Sequence, residues 1–436
     1  MKLDLNIPKY IKDIVEELNK YGYECYLVGG CIRDVILNKE IHDYDLATNC
    51  TSSIIKDIFK DYKIINNNGE KHNTITLYIE GNNVEITSFK HNDNEKNSIE
   101  IDLLHRDLSI NSLAYSDHLI DYYNGYNDLI NHIIRANNPK ERFLEDPLRI
   151  LRALRFSSIL GFEIEENTSL MIHKYKDLLK NTSNERIKVE LELIISGNNA
   201  LNIFSNYYDV FFVIIPELKD TYNFNQMNPY HKRDIYNHLI NVVNNIHLED
   251  NYNNIVTRTA GLFHDIGKPQ CYSIDENNIG HFYKHSIISK EISFNILKRL
   301  KYSNNEINDI LFLIQYHDYS IQYTLKSIRR ILMKIPKQNE RLLYMLIELI
   351  NADRMDHTEY ELIDINKIND IVKDIKELNL CLNVGDLNIN GYDLMNLGFK
   401  GRKIGETLNY LLNLVIDDRI KNEKEVLIEE ANKYNK

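Results

Sequence analysis

Two carboxylates stand one residue apart in the segment His42-Asp43-Tyr44-Asp45-Leu46. In an extended strand, residues i and i+2 project to the same face, so Asp43 and Asp45 are expected side by side. Adjacent carboxylates repel unless a cation neutralises them. Phosphoryl transfer by two magnesium ions needs such a pair to bridge the metals. Glu85, flanked by the apolar Val84 and Ile86 in a strand-like run, is a candidate third ligand. A lone Asp-x-Asp is usually a surface turn. Here it follows closely on Gly29-Gly30-Cys31-Ile32-Arg33-Asp34. Glycines let backbone amides approach a phosphate, and the forked guanidinium of Arg33 suits a terminal phosphate. The combination is much rarer than either part, and it points to metal-dependent nucleotidyl transfer.

The elements that must carry these residues can be read from periodicity. Ile7, Ile11, Ile14, Val15 and Leu18 mark a helix, and Glu24 to Val28 a strand running into the double glycine. Asp43 to Ala47, Thr74 to Glu80 and Asn83 to Phe89 read as three further strands, the last two joined by a turn at Gly81-Asn82-Asn83. From about residue 139 the strand signal vanishes, and Pro147 to Leu160, Ser169 to Lys180 and Glu185 to Ser196 begin a long helical series. The expected fold is an α/β head, a small mixed sheet with helices, followed by an all-α remainder.

Composition sets the outer bounds. A chain of 436 residues exceeds a single core, so several domains are expected. No run approaches the roughly 18 apolar residues of a membrane span, and Met1-Lys2-Leu3-Asp4 lacks the apolar core of a secretion signal, so the cytoplasm is the expected location. The five cysteines, Cys25, Cys31, Cys50, Cys271 and Cys381, include no CxxC pair, which argues against zinc or a disulfide framework. A net charge of -12 argues mildly against a nucleic-acid partner, although local patches decide contact. Two such patches are the basic stretches Lys326 to Lys337 and Lys400 to Lys403; the bland reading of each is a solvated helix face.

At the double glycine and the Asp pair the sequence resembles the class II tRNA nucleotidyltransferases, the CCA-adding enzymes and their bacterial poly(A) polymerase relatives. The likeness continues in His105-Arg106-Asp107-Leu108-Ser109-Ile110-Asn111, where His105 replaces the usual Arg, in Asn124-Gly125 through Asp128-Leu129 and Ile134-Arg135, and in Glu145-Asp146-Pro147-Leu148-Arg149. It extends through Arg152 and Arg155 to Glu185-Arg186, and again to Asn390-Gly391-Tyr392-Asp393 and Gly401-Arg402-Lys403. The resemblance implies a head over residues 1–138, a base-recognising neck over 139–200, a body over 201–375 and a tRNA-contacting tail over 376–436. It also implies Mg2+ on Asp43 and Asp45, triphosphate contacts from Gly30 and Arg33, and sugar contacts from Arg106 and Asp107. Base recognition would fall to Asp146 and Arg149, expected three apart on one helix face. Cytosine and adenine both offer an amino donor beside a ring-nitrogen acceptor, which a carboxylate and a guanidinium match; uracil and guanine reverse that polarity. Arg152 and Arg155 continue the stripe toward the phosphates.

The implied activity is addition of C and A to the 3′ end of tRNA from CTP and ATP, with tRNA as partner and no membrane. One departure matters: only residues 91 to 105 separate Phe89-Lys90 from Arg106, where full CCA-adding relatives carry a longer loop. An enzyme adding CC alone is therefore one alternative and a poly(A) polymerase another. Further along, Gly261-Leu262-Phe263-His264-Asp265-Ile266-Gly267-Lys268-Pro269 resembles the HD phosphohydrolase signature. That likeness implies a second divalent metal (Mn2+, Ni2+ or Mg2+) on His238, His264, Asp265 and Asp353, with His285 and His317 in a two-metal version. An HD phosphohydrolase whose head only binds nucleotide, or a non-catalytic RNA-binding module, would be rivals of a different class.

Overall fold

The computed structural model describes residues 7–41, 43–65, 73–90 and 96–434. Met1 to Asp4, His42 and residues 91–95 of the short segment, all used in the sequence reading, lie outside the described residues. The chain divides into two compact units, Met1–Pro216 and Glu217–Lys436.

The first unit is built on a mixed sheet of seven strands: β1 (Cys25–Val28), β2 (Tyr44–Thr48), β3 (Lys63–Ile65), β4 (Thr74–Ile79), β5 (Asn82–Ser88), β6 (Ala114–Tyr115) and β7 (Leu119–Ile120). Their order is β3-β4-β5-β2-β1-β6-β7, with β2 and β5 parallel and the other pairs antiparallel. The four strands expected from periodicity are present. β3, β6 and β7 are only two or three residues long, too short to show a period of two. The hairpin turn falls on Glu80 and Gly81, both at positive φ (52° and 87°), while Asn82 and Asn83 pair with Ile79 and Tyr78. A two-residue loop of that handedness matches the strand twist, which is why it wins over the three-residue turn expected at Gly81.

Burial fixes the face that carries chemistry. Leu27, Leu46, Val84 and Ile86 are buried on one face of the sheet; the opposite face carries Asp45 and Glu85 beside a second buried cluster that includes Val28, Ala47 and Phe89. Helices Pro139–Glu145, Leu148–Leu160, Glu166–Tyr175 and Asn184–Ser196 follow the sheet. Leu148–Leu160 buries Ile150, Leu151, Ala153 and Leu154, each large apolar side chain stabilising the unit by about 1.5–3 kcal/mol. It packs on Asn184–Ser196, and Ser158 Oγ donates to Ile194 O at 2.7 Å across the contact.

The second unit is helical, as expected, with one addition: a short antiparallel ribbon pairs Tyr272–Ile274 with Gly280–Phe282. Helices Ile235–Asn245, Asn251–Phe263, His285–Arg299, Asn304–Tyr316 and Glu340–Arg354 pack around one core. The C-terminal helices Arg402–Ile416 and Lys424–Tyr434 close a separate cluster on Leu394, Phe399, Leu411 and Leu427. Arg329, in the first basic stretch, is buried, donating to Cys381 O, Val415 O and Asp418. Its charge is spent on packing this unit. Among the described residues no helix is long and apolar enough to cross a membrane.

Candidate active site

The parallel pairing of β2 with β5 sets Asp45 opposite Glu85, and the antiparallel pairing with β1 sets it beside Val28, at the mouth of the Gly29-Gly30 turn. Asp43 lies one residue ahead of the strand and is exposed, because the ladder begins at Tyr44↔Val84. The strand-face argument therefore holds for Asp45 and Glu85, a cross-strand pair, rather than for Asp43 and Asp45 within one strand. The charge of Asp43 is still felt at Asp45. Burial, the charge of Glu85 and then that of Asp43 raise the Asp45 carboxyl, with Arg106 opposing.

Asp45 and Glu85 line a cavity of about 560 Å³ with Gly29, Gly30, Arg33 and Arg106 on the sheet side. Asp107, Asp146, Arg149, Arg152 and Arg186 face it from the following segment. Gly29 sits at φ 75°, a conformation that favours glycine, and a Cβ there would crowd Arg106 Nη1 at 3.1 Å. Arg33 donates to Asp34 at 2.9 and 3.0 Å and to Asn111 Oδ1 at 2.8 Å, with its guanidinium over the Phe156 ring. Arg106 is held by the buried Asp102 at 3.1 Å. The lining carries six Lys or Arg side chains (Arg33, Lys90, Arg106, Arg149, Arg152, Arg186) against five carboxylates (Asp45, Glu85, Asp102, Asp107, Asp146). The site is thus locally cationic in a chain of net charge -12, which answers the compositional argument against phosphate partners.

Several expected partnerships differ. Asp146 is not on the helix that carries Arg149: it takes an extended conformation (φ -145°, ψ 100°) between two helices. Pro147 disfavours a helical residue before it, and the carboxylate instead accepts the Leu148 N–H at 3.2 Å. Both oxygens of Asp146 also accept from Arg186, at 3.2 and 2.7 Å. Arg149 donates to Glu145 at 3.0 Å and to His105 O at 3.2 Å. Arg152, expected near phosphates, donates to Asp107 at 2.6 Å. Burial opposes ionisation of Asp107, but Arg152, the Asn111 amide and Arg149 outweigh it and hold its carboxyl below the usual range. Arg155 pairs with Glu190 at 3.3 Å and, among the described residues, is not part of the cavity lining. Arg186, Lys90, Asn111 and Phe156 are lining residues to which the sequence reading gave no role. The available signals were motif positions: Asn111 closes the His105 to Asn111 motif, Phe156 follows Arg155, and Arg186 lies in Glu185-Arg186.

A second constellation lies within the other unit. Its six residues come from five helices or helix ends, yet they meet. His238 Nε2 is 3.2 Å from His264 Nε2, 3.4 Å from Asp265 and 3.1 Å from Asp353; His285 Nε2 is 3.2 Å from His317 Nε2 and 3.2 Å from Asp265. The outer nitrogen of each imidazole is tied to an acceptor: His238 Nδ1 to Asp356 at 2.9 Å, His264 Nδ1 to Gly261 O at 2.8 Å, His285 Nδ1 to Phe282 O at 2.9 Å and His317 Nδ1 to Ile314 O at 2.7 Å. Carbonyl and carboxylate oxygens only accept, so each Nδ1 carries a proton. Burial opposes a second proton on His264, but Asp265 and Asp353 outweigh it and raise the ring to about 9. Nε2 therefore offers its lone pair to a cation by giving up that second proton. Oδ1 of Asp265 is buried with no hydrogen-bond partner among the described residues. Burial disfavours the Asp265 charge, but Lys268 and His264 beside it hold the carboxyl well below the usual range. Inward lone pairs around a buried, unpaired carboxylate oxygen fit a divalent cation. Among the described residues, the two groups whose ligand atoms all lie within 4.8 Å of one another are here: His238, His264 and Asp353, and His264, Asp265 and His317.

Comparison with known proteins divides along the same lines. Residues 25–135 match the family described as the poly A polymerase head domain, residues 161–220 the RNA and SrmB-binding site of polymerase A, and residues 282–431 tRNA nucleotidyltransferase domain 2. The CCA-adding enzyme of Enterococcus faecalis is 39% identical over 216 residues, 46% of this chain and 52% of that protein. That of Staphylococcus haemolyticus is 38% identical over 221 residues, 47% and 54% of the two. The matched stretch spans about half the length of these relatives. Over the whole chain the fold is that of solved CCA-adding enzymes. The Bacillus stearothermophilus enzyme in complex with CTP covers 98% of both chains at 21% identity, with a TM-score of 0.72. The Thermotoga maritima enzyme complexed with tRNA covers 99% and 97% at 21% identity, with a TM-score of 0.62.

Proposed function

We propose that this chain, which carries a poly A polymerase head and a tRNA nucleotidyltransferase domain, adds C and A residues to the 3′ end of tRNA from CTP and ATP in the cytoplasm. The observation that carries the reading is one cationic cavity joining the Asp45–Glu85 carboxylates to Asp146 and Arg149. The functional segments follow the head (1–138), neck (139–200), body (201–375) and tail (376–436). Solved enzymes of the same fold hold CTP, ATP or tRNA, the ligands this cavity would suit.

Asp43, Asp45 and Glu85 are the residues to hold Mg2+, which when bound neutralises charge on the phosphoryl group being transferred. Gly30 and Arg33 take the triphosphate, and Arg106 and Asp107 the ribose. Arg152 keeps Asp107 ionised and so able to accept from a sugar hydroxyl. Asp146 and Arg149 read the base, and Arg155, set back on Glu190, supports the wall behind Phe156. A poly(A) polymerase would use the same head, and an enzyme adding CC alone would differ through segment 91 to 105. Incubation with CTP, ATP and a tRNA lacking its 3′ end distinguishes the three. Sequenced products ending in CCA are expected; products stopping at CC, or extending as poly(A), reject the assignment.

The inward-facing imidazoles favour a second reading beside the first: an HD-type phosphohydrolase centre on His238, His264, Asp265, His285, His317 and Asp353, holding Mn2+, Ni2+ or Mg2+. Changing His264 and Asp265 together to Ala should reduce Mn2+-dependent phosphatase activity to background while nucleotide addition stays within about twofold of wild type. Hydrolysis that survives the double change would remove the assignment.

A further inference from the structure

The cavity beside the His/Asp centre has a wall that metal ligation does not explain. Two more imidazoles, His231 and His357, line this space of about 300 Å³ together with Asn228, Lys268 and Phe282. An isolated antiparallel bridge sets His231 opposite His357, and the Thr358 N–H donates to Tyr230 O at 3.1 Å beside it. The two rings meet edge to face, 4.9 Å between centroids. The backbone thus fixes the pair against each other although they are far apart in sequence.

Their free nitrogens are the anomaly. His231 Nδ1 and His357 Nε2 are buried atoms with no hydrogen-bond partner among the described residues. His357 Nε2 lies 3.5 Å from Asp353 Oδ1, a charge contact at the outer limit of hydrogen-bonding distance. Neither ring belongs to the two groups of converging ligand atoms. Leaving a buried ring nitrogen unpaired disfavours the folded state, and two such nitrogens on one cavity wall call for a ligand that relieves them.

We propose that His231 and His357 are substrate-binding residues of this centre, offering ring N–H groups to the oxygens of a terminal phosphate. The proposal rests on the metal reading given above. Asp265, Asp318 and Asp353 also line the cavity, and their charge would repel an anion until divalent cations neutralise it. The Lys268 ammonium, 2.6 Å from Asp265, adds one positive charge at the same wall. The cavity is at the small end for ligand sites. It suits a phosphate monoester or the phosphorylated end of a nucleotide, entering with its phosphoryl group foremost, rather than the interior of a polynucleotide.

The test uses the full chain and two successive calorimetric titrations, Mn2+ alone and then inorganic phosphate. Wild type should bind phosphate only after Mn2+. His231→Ala and His357→Ala should each bind Mn2+ as wild type does and hold phosphate about tenfold more weakly; His357→Gln, which keeps an N–H donor, should lose less. A melting temperature unchanged from wild type shows that each variant is folded. Unchanged phosphate affinity in both Ala variants overturns the proposal, as does loss of Mn2+ from His357→Ala, which would make that residue a ligand. A wild type that takes Mn2+ but no phosphate also overturns it. A wild type that takes no Mn2+ fails one step earlier and refutes the metal centre itself.

Discussion

Changing Asp45 to Asn should lower the rate of nucleotide addition by about a thousandfold and leave the protein no less stable. The two halves of this result have different causes. Charge stabilisation by a bound cation contributes several kcal/mol to phosphoryl transfer, and losing about 4 kcal/mol is a factor of about a thousand. Stability runs the other way. Burial and the neighbouring charges of Glu85 and Asp43 raise the folded-state pKa of Asp45. A raised carboxyl favours the folded state only while protonated, and that contribution is lost as pH rises through the folded pKa. Near neutral pH the ionised group is therefore a cost, which an amide of the same shape removes. In EDTA the melting temperature of Asp45→Asn should equal or exceed that of wild type. Adding Mg2+ should then raise the melting temperature of wild type more than that of the variant. A variant that melts well below wild type in EDTA would make Asp45 a structural residue. One that keeps activity within tenfold would remove it from the reaction.

The parts of this molecule legible in its sequence are those whose signal is local. The turn at Gly29, the strand holding Asp45 and the His264-Asp265 pair each announce themselves within a few residues. Glu85 was found because it stands mid-strand between the apolar Val84 and Ile86, and its register opposite Asp45 then follows from the parallel pairing of two non-adjacent strands. Relations between distant segments were not legible. Nothing near Asp107 reveals that Arg152 would be its partner, 45 residues on, nor does Asp146 reveal Arg186, 40 residues on. The break at Pro147 could have been read, since a residue before proline avoids the helical region; the Glu-Asp-x-x-Arg spacing suggested a continuous face instead. His231 and His357 carry no motif at all. Only the bridge between their two segments brings them to one wall.

Removing the carboxylate of Asp146 should abolish the preference for CTP over UTP. In Asp146→Ala, kcat/KM for CTP is expected to fall about a hundredfold while that for UTP changes little. The argument begins from the pairs that hold the site together. Arg186 donates to both Asp146 oxygens, but half of its side chain is exposed, and a surface ion pair of this kind contributes about 0–1 kcal/mol. A base that presents an amino group can therefore displace it cheaply. Arg149 is likewise tied to the partly exposed Glu145 and to one carbonyl, so its N–H groups can be redirected to a ring nitrogen. A cytosine satisfies both groups. A uracil presents an acceptor to Asp146 and a donor to Arg149, leaving two charged groups mispaired, at about 1–3 kcal/mol each. With Asp146 gone, the amino group of cytosine loses its acceptor and uracil loses its clash, so the ratio collapses from both sides. Arg186→Ala separates this account from a structural one. If Arg186 only holds Asp146 in waiting, its loss leaves the CTP preference intact and shifts KM by less than about tenfold. If the preference vanishes with Arg186 and survives without Asp146, the base is read by the guanidinium of Arg186, and Asp146 serves to position it.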